Sequence, residues 1–412
     1  MKIGIEESFE RLKRYCEKQE FKGWDPYDGL TSKIFRAVPF LSDNRFSRLA
    51  WIQFFKKSPF NLRNVAIIPK EYNSKGLSLF LTGYCNLYRL EPDQEKFALI
   101  NTLAKKIIHL QSKGYSGSCW GYYFDWQARA FFQPANTPTV VATSFAVDAL
   151  LNAYEITGEQ SFLNTALSSA DFVLKDLNRT YDEEGNFSFS YSPIDQTQVF
   201  NASLLGARLL SRIYSYTKND QLKSEASKAV QFACRHQQLN GAWSYGTLPF
   251  HNWVDNFHTG FNLECIYEYE KYTDDDSFQT NVERGFTYYI NTFFCEDGSS
   301  KYYNNQLYPI DIHSPAQLIA TLAKMNRLSD YRPIAEKVLK WTIEHMQDQE
   351  GYFYYQKKKW LSSKIPYMRW AQAWMFYSMS FYLFLTKYSQ SNEKPNSFVG
   401  YPSVQPFHEG NA

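Results

Sequence analysis

The chain passes through one cycle several times. A broadly apolar helical stretch comes first ("SFAVDALLNAYEITGEQSF", "SLLGARLLSRIYSYTKNDQL", "FNLECIYEYEKYTDDDSF"). A helix with a single apolar stripe follows ("LNTALSSADFVLKDLNR", "LKSEASKAVQFACRHQQ", "QTNVERGFTYYINTFF", "YRPIAEKVLKWTIEHMQ"). Then comes a glycine turn rich in aromatics ("EEGNFSFSYSP", "LNGAWSYGTLP", "EDGSSKYYNNQLYP", "QEGYFYYQKKKW"). The period of about 55 to 58 residues accommodates two helices, one long loop and one short loop.

Broadly apolar helices begin near Gly76, Thr139, Thr197, Thr259, Ser314 and Tyr367, six in all. Six one-sided partners alternate with them, including stretches around 44–57 and 94–113. A helix apolar nearly all round is buried, and one with a single stripe lies outside it. The expected fold is therefore all-α, an (α/α)6 toroid with a short N-terminal extension. An open superhelical solenoid is the competing architecture. Residues 1–70 are expected to pack on the toroid and to contain its first outer helix. Residues 71–388 form the toroid proper, and the polar, Pro-rich stretch 389–412 is expected to be extended or disordered.

The bulk properties exclude several functions. A formal charge of +2 in 412 residues gives no basic stripe for nucleic acid. No run approaches a membrane span, and the charged start "MKIGIEESFERLKRYCEKQEF" lacks a signal-peptide core, so a cytoplasmic protein is expected. The six Cys stand far apart, with no metal-ligand spacing, and no glycine loop suits a nucleotide. No metal and no cofactor is expected. Aromatic residues make up 18% of the chain, enough both to fill a large core and to stack on sugars.

In a toroid every inner helix starts at the same end, so the long loops surround one mouth. Three of these loops carry a carboxylate just ahead of an inner helix. In "DIHSPAQL", Pro315 suits the first helical position and Ser314 the cap, which leaves Asp311 and His313 free. Aligning "DNFHTGFN" on it puts Thr259 at the cap and frees Asp255, Asn256 and His258. In "IDQTQVFN", Thr197 caps and Asp195 remains. A carboxylate near a helix N-terminus suits a base or a charge stabiliser, and imidazole titrates near neutrality. Asp195, Asp255, Asp311, His258 and His313 are thus the catalytic candidates.

Arg129 in "YFDWQARAFF" and Arg369 in "KIPYMRWAQ" are placed to grip a carboxylate bidentately, or else to pair with an Asp of the same end. Asn256, Trp126, Trp243, Tyr245, Trp253, Tyr303 and Trp370 add polar and stacking contacts. Trp24 and Asp25 come from the N-terminal "GWDPYDGL" turn, which has no repeat partner. The acidic "TDDDSF" at 273–278 falls in phase with "TGEQSF" and is a turn at the opposite end.

Together "GWDPYDGL", "NTPTVVATSFAVDALL", "VDNFHTGFNL", "YPIDIHSPAQ" and "KIPYMRWAQAWMFY" resemble a family encoded in bacterial surface-polysaccharide biosynthesis clusters, over residues 20 to 385. At the level of fold the chain resembles the six-hairpin glycosidases, lyases and sugar epimerases. "RHQQLNGAWSYG" also echoes the turn of terpenoid cyclases and prenyltransferases. These resemblances imply an oligosaccharide or polysaccharide ligand, uronate-containing where an arginine grips it, and association with polysaccharide-assembly proteins. A hydrolase would use two of the three Asp, whereas a lyase or epimerase would use His258, His313 or a mouth Tyr as base. A non-catalytic glycan-binding scaffold and an isoprenoid-handling toroid are the other expectations.

Overall fold

The structure, a computed structural model, describes residues 3–128 and 131–388. Arg129 and the tail from residue 389 lie outside the described residues. The chain opens with α1 (Ile5–Lys18), α2 (Lys33–Arg36), α3 (Pro39–Ser42) and α4 (Arg45–Lys57). Next come α5 (Ser74–Leu90), α6 (Gln94–His109), α7 (Val140–Thr157), α8 (Gln160–Asp171), α9 (Phe200–Thr217) and α10 (Asp220–Arg235). The last are α11 (Asn256–Thr273), α12 (Gln279–Phe293), α13 (His313–Lys324), α14 (Arg332–Met346) and α15 (Trp374–Tyr388), the last preceded by a π-helical turn, Met368–Ala373. Strands among the described residues are confined to three short antiparallel two-stranded ladders in the loops.

The inner ring is α5, α7, α9, α11, α13 and α15. Each packs on the next, and α15 returns to α5. An open superhelix has no such return contact, so the fold is a closed all-α (α/α)6 toroid. Burial follows the expected division. Every residue of α7 from Val140 to Ala153 is buried, whereas α8 buries only Phe162, Leu163, Ala166 and Ser169.

Five outer helices are α6, α8, α10, α12 and α14, and the sixth is α1, which packs on α15 and α14. The stretch expected as an outer helix around 44–57 does fold, as α4. It lies against the 3-10 turn Asp28–Thr31 and the Trp126–Gln127 strand at the mouth instead. The reason is the apolar stripe. α4 buries only Ile52 and Phe55, while α1 buries Phe9, Leu12 and Cys16, a helical i, i+3, i+7 row amid its charges. Ser8 and Gln347 lock α1 to the end of α14 through two hydrogen bonds, 2.7 and 3.0 Å.

Deep in the barrel the inner helices share a layer of buried ion pairs. Asp148 of α7 accepts from Arg208 (2.5 Å) and Arg212 (3.1 Å) of α9, and Lys324 of α13 lies 3.0 Å from Glu268 of α11. Arg208 also reaches Glu268 at 3.5 Å, so one network links four inner helices. Breaking such a pair by removing one partner leaves an uncompensated buried charge.

The seam of the ring is tight. A Cβ on Gly83 of α5 would stand 2.6 Å from the Phe376 ring of α15. That ring is wedged against Phe9, Phe80 and Tyr84 at centroid distances of 5.0, 5.3 and 5.0 Å, so it has nowhere to turn. Replacing a mid-helix glycine normally gains helix propensity. Here Gly83→Val is expected to lose about 1–3 kcal/mol through overpacking. Urea unfolding measures it, and a more stable variant would contradict the tight seam.

Candidate functional site

At the helix N-terminal end of the barrel is an open-mouthed cavity of about 230 Å³. Every inner helix supplies it with a residue from its first turn. These are Lys75 of α5, Val141 of α7, Asn201 of α9, His258 of α11, His313 of α13, and Arg369 of the π-helical turn. Aromatic loop residues form the walls, among them Trp126, Tyr245, Trp253, Tyr303 and Trp370. Tyr27 and Lys56 of the N-terminal segment complete the rim, Lys56 Nζ donating to Tyr27 Oη at 2.7 Å.

The charges facing the cavity are one-sided. Lys56, Lys75 and Arg369 line it, and no Asp or Glu among the described residues does. Six converging helix N-termini add partial positive charge. Lys75 lies over the rings of Phe145, Trp374 and Phe261, 4.4, 5.1 and 5.2 Å from their centroids. Burial, with Arg369 and Arg208 nearby, pushes its amine well below the ordinary lysine range. Cavity and charge together suit an anionic ligand or an anion formed during reaction.

The carboxylates stand one layer behind. Asp255 caps α11, its Oδ1 accepting from the His258 amide at 3.0 Å. Its Oδ2 accepts from Trp253 Nε1 at 3.0 Å and lies 2.7 Å from His258 Nδ1. Asp311 accepts from the His313 amide (3.0 Å), Trp370 Nε1 (2.9 Å) and Gln356 Nε2 (2.7 Å). Asp25 takes Arg369 through Nε (2.5 Å) and Nη2 (2.8 Å). Each of the three therefore orients a group that faces the cavity.

This corrects the expected helix starts. Asp255, not Thr259, is the N-cap of α11, and Ser314 lies inside α13 while Asp311 serves its first amide. α9 begins at Phe200, well after Thr197. Asp195 lies off the cavity and is consumed by a local turn, both oxygens accepting from the Ser192 and Thr197 hydroxyls at 2.6 Å. Asn256 is buried and accepts from Tyr289 Oη at 3.1 Å. Trp243 donates to Ala233 O (2.9 Å) and Trp24 to Ile68 O (2.9 Å), both as packing. Asp25 is buried and reaches the cavity only through Arg369. The "TDDDSF" segment is a turn between α11 and α12, with Asp275 held by Tyr269 Oη (2.5 Å) and Ser277.

The two histidines do meet at the cavity. They lie beside the Phe257 ring, with centroids at 4.1 Å for His258 and 4.4 Å for His313. His258 has its Nδ1 engaged by Asp255, and its side chain is partly exposed to the cavity. Both nitrogens of His313 are buried without a partner, as is Asn201 Oδ1 across the cavity. Unpartnered buried polar atoms lining a cavity mark ligand contact. Burial, with Lys75, His258 and Arg369 nearby, drives the His313 imidazole well below its ordinary range, so it is neutral. Lys75, Lys56 and Asn201 escaped the sequence reading. The signal for Lys75 and Asn201 was their phase, since both occupy the first turn of an inner helix.

Burial also raises the Asp311 carboxyl from its ordinary 3.8 to about 6, although three hydrogen bonds oppose it. The effect of burial exceeds that of the helix start. The folded chain thus keeps a proton between about pH 4 and 6 that the unfolded chain has lost, and stability falls as pH rises through that window. Asp311→Asn keeps the shape and is expected to flatten that fall by on the order of 2–3 kcal/mol. Parallel unfolding curves of wild type and variant from pH 4 to 7 would contradict the assignment.

No protein-family model matches this sequence, and no curated protein does. Solved structures share its fold. The cellobiose 2-epimerase of Bacillus thermoamylovorans superposes with a TM-score of 0.62 at 13% identity, covering 78% of this chain and 90% of that one. The cellobiose 2-epimerase of Spirochaeta thermophila gives 0.59 at 12% identity, covering 77% and 86%. An unsaturated glucuronyl hydrolase specific for heparin gives 0.56 at 12%, covering 76% and 86%. At such identities the likeness establishes the (α/α)6 fold alone.

Proposed function

We propose that the chain is a carbohydrate-active enzyme that moves a proton at a carbon next to a carbonyl or carboxylate of a sugar, as an epimerase or lyase does. One observation carries this reading: the cavity is faced by two imidazoles, two lysines and an arginine, while the carboxylates stand behind them. Paired-carboxylate hydrolysis needs both acids against the scissile bond, and that requirement argues against the hydrolase alternative. The likeness to sugar epimerases agrees with the choice.

In this reading His258 is the base. Asp255 fixes the imidazole through Nδ1, which leaves Nε2 to take the proton. Neutral His313 on the other side of Phe257 hydrogen-bonds the substrate, and the His258 imidazolium gives its proton back to the carbon or to the leaving oxygen. Arg369, with Nε and Nη2 held by Asp25, offers Nη1 to a carboxylate, and Lys75 stabilises the developing enolate charge. The cavity is smaller than the roughly 300–1,000 Å³ of drug-sized pockets, which fits about one sugar unit at depth. Trp126 and Trp253 would stack further units at the mouth. The surface-polysaccharide setting is part of this proposal, with an acidic oligosaccharide as substrate.

The test is proton exchange. Uronate-containing oligosaccharides and reducing disaccharides are incubated with the protein in D2O and followed by NMR. Deuterium is expected at the carbon next to the carboxylate or carbonyl. His258→Asn should slow its entry by about 10²–10⁴-fold. Asp255→Asn should slow it by at least ~10²-fold while leaving the fold intact, because Asn caps a helix as well as Asp. Release of new reducing ends without deuterium entry, undiminished in His258→Asn, would sink the reading.

A further inference from the structure

Fifteen large hydrophobic residues are exposed among the described residues, and nine of them fall between Ile34 and Ile67. Phe40, Phe46 and Phe60 are 83%, 78% and 67% exposed. On α4 the outward face carries Phe46, Phe54 and Lys57, where a helix on a soluble protein normally turns polar residues to water. The same stretch, 33–70, holds eight Lys and Arg against one acid, Asp43; Arg63 is buried on Asp28 and Arg36 pairs with Asp125, which leaves six others, in a chain whose whole charge is only +2.

A second element extends this face. The loop "QKKKWLSSK" at 356–364 carries Trp360, 87% exposed, and Leu361, with four lysines and no acid. Lys358 Nζ donates to Lys57 O at 3.0 Å, so the loop lies against the end of α4. Exposed aromatic and aliphatic residues interleaved with lysines form an amphipathic surface of the kind that sits in a lipid interface. The ring or aliphatic group enters the headgroup boundary and the ammonium stays among anionic phosphates. An exposed apolar patch of this extent marks an interaction site.

We propose that this face docks the protein on an anionic lipid bilayer as a peripheral protein. The occupant is set by charge complementarity: a dense positive field with almost no acid selects a negative surface. No helix among the described residues is long and apolar enough to cross a membrane. Lys56, between Phe54 and Lys57, lines the cavity, so docking brings the mouth to the bilayer surface. The inference is independent of the reaction at the cavity.

The test is vesicle flotation of the full chain. Vesicles of phosphatidylcholine alone are compared with vesicles carrying about 30% phosphatidylglycerol, at low salt and at ~0.5 M salt. The chain is expected to float at least ~10-fold better with the anionic vesicles, and salt should release it. Phe40→Ser with Phe46→Ser and Trp360→Ser should abolish flotation. Lys57→Glu with Lys357→Glu and Lys359→Glu should weaken it by on the order of 100-fold. All six positions lie away from the core, so unchanged thermal unfolding checks that the variants fold. Failure to float, equal flotation with neutral vesicles, or flotation unaltered in both variants would overturn the proposal. Concentration-dependent self-association removed by the aromatic variant would also overturn it, by assigning the face to a second copy.

Discussion

A ring of helices encloses a cavity only if its ends meet, and here they meet across most of the chain. α15 packs on α5, α1 seals the outside of α15, and Asp25 grips Arg369, 344 positions away. The buried ion pair serves two ends at once. It fixes the N-terminal turn to the barrel and sets the one guanidinium among the described residues that faces the cavity. Asp28 holds the same turn from behind through Arg63 at 2.8 Å, and burial raises its carboxyl to about 7. A fully buried pair of this kind contributes little net stability but is costly to break. Its value lies in geometry.

The cavity follows from that frame. Helices that start at one end bring six first turns together, and six first turns bring partial positive charge with them. Acidic side chains near such a place are drawn to the helix amides, which is why Asp255 and Asp311 serve amides and rings behind the cavity. What is left facing inward is basic or neutral. Below it the Asp148–Arg208–Glu268–Lys324 layer closes the floor with charges that satisfy one another. The cavity thus lies between a paired ionic layer and an aromatic mouth.

The architecture was legible because periodicity and repetition are properties of many residues, and no single error moves them. The capping residues were not, because Asp, Ser and Thr all cap helices and several candidates stand within four positions. Aligning His258 with His313 misled the phase. His258 is the third residue of α11, whereas His313 is the first of α13. That offset of two turned Asp255 from the actual cap into a supposed free carboxylate. α1 was hidden for a different reason: its row Phe9, Leu12, Cys16 is narrow and lies among charges, while the broader apolar content of α4 drew the assignment. The phase of Lys75 marks it as a first-turn residue, but "NSKGL" does not show that three rings from other helices enclose it.

The place of α1 has a consequence in time. Chains fold as they are made, from the N-terminus, and contacts distant in sequence form late. Among the described helices α1 is made before all the others, yet its partners α14 and α15 are made after them. Until they emerge, the row of Phe9, Leu12 and Cys16 has no native surface to cover it. The wait exposes a sticky strip in the nascent chain, and one late event then seals the ring and completes the cavity.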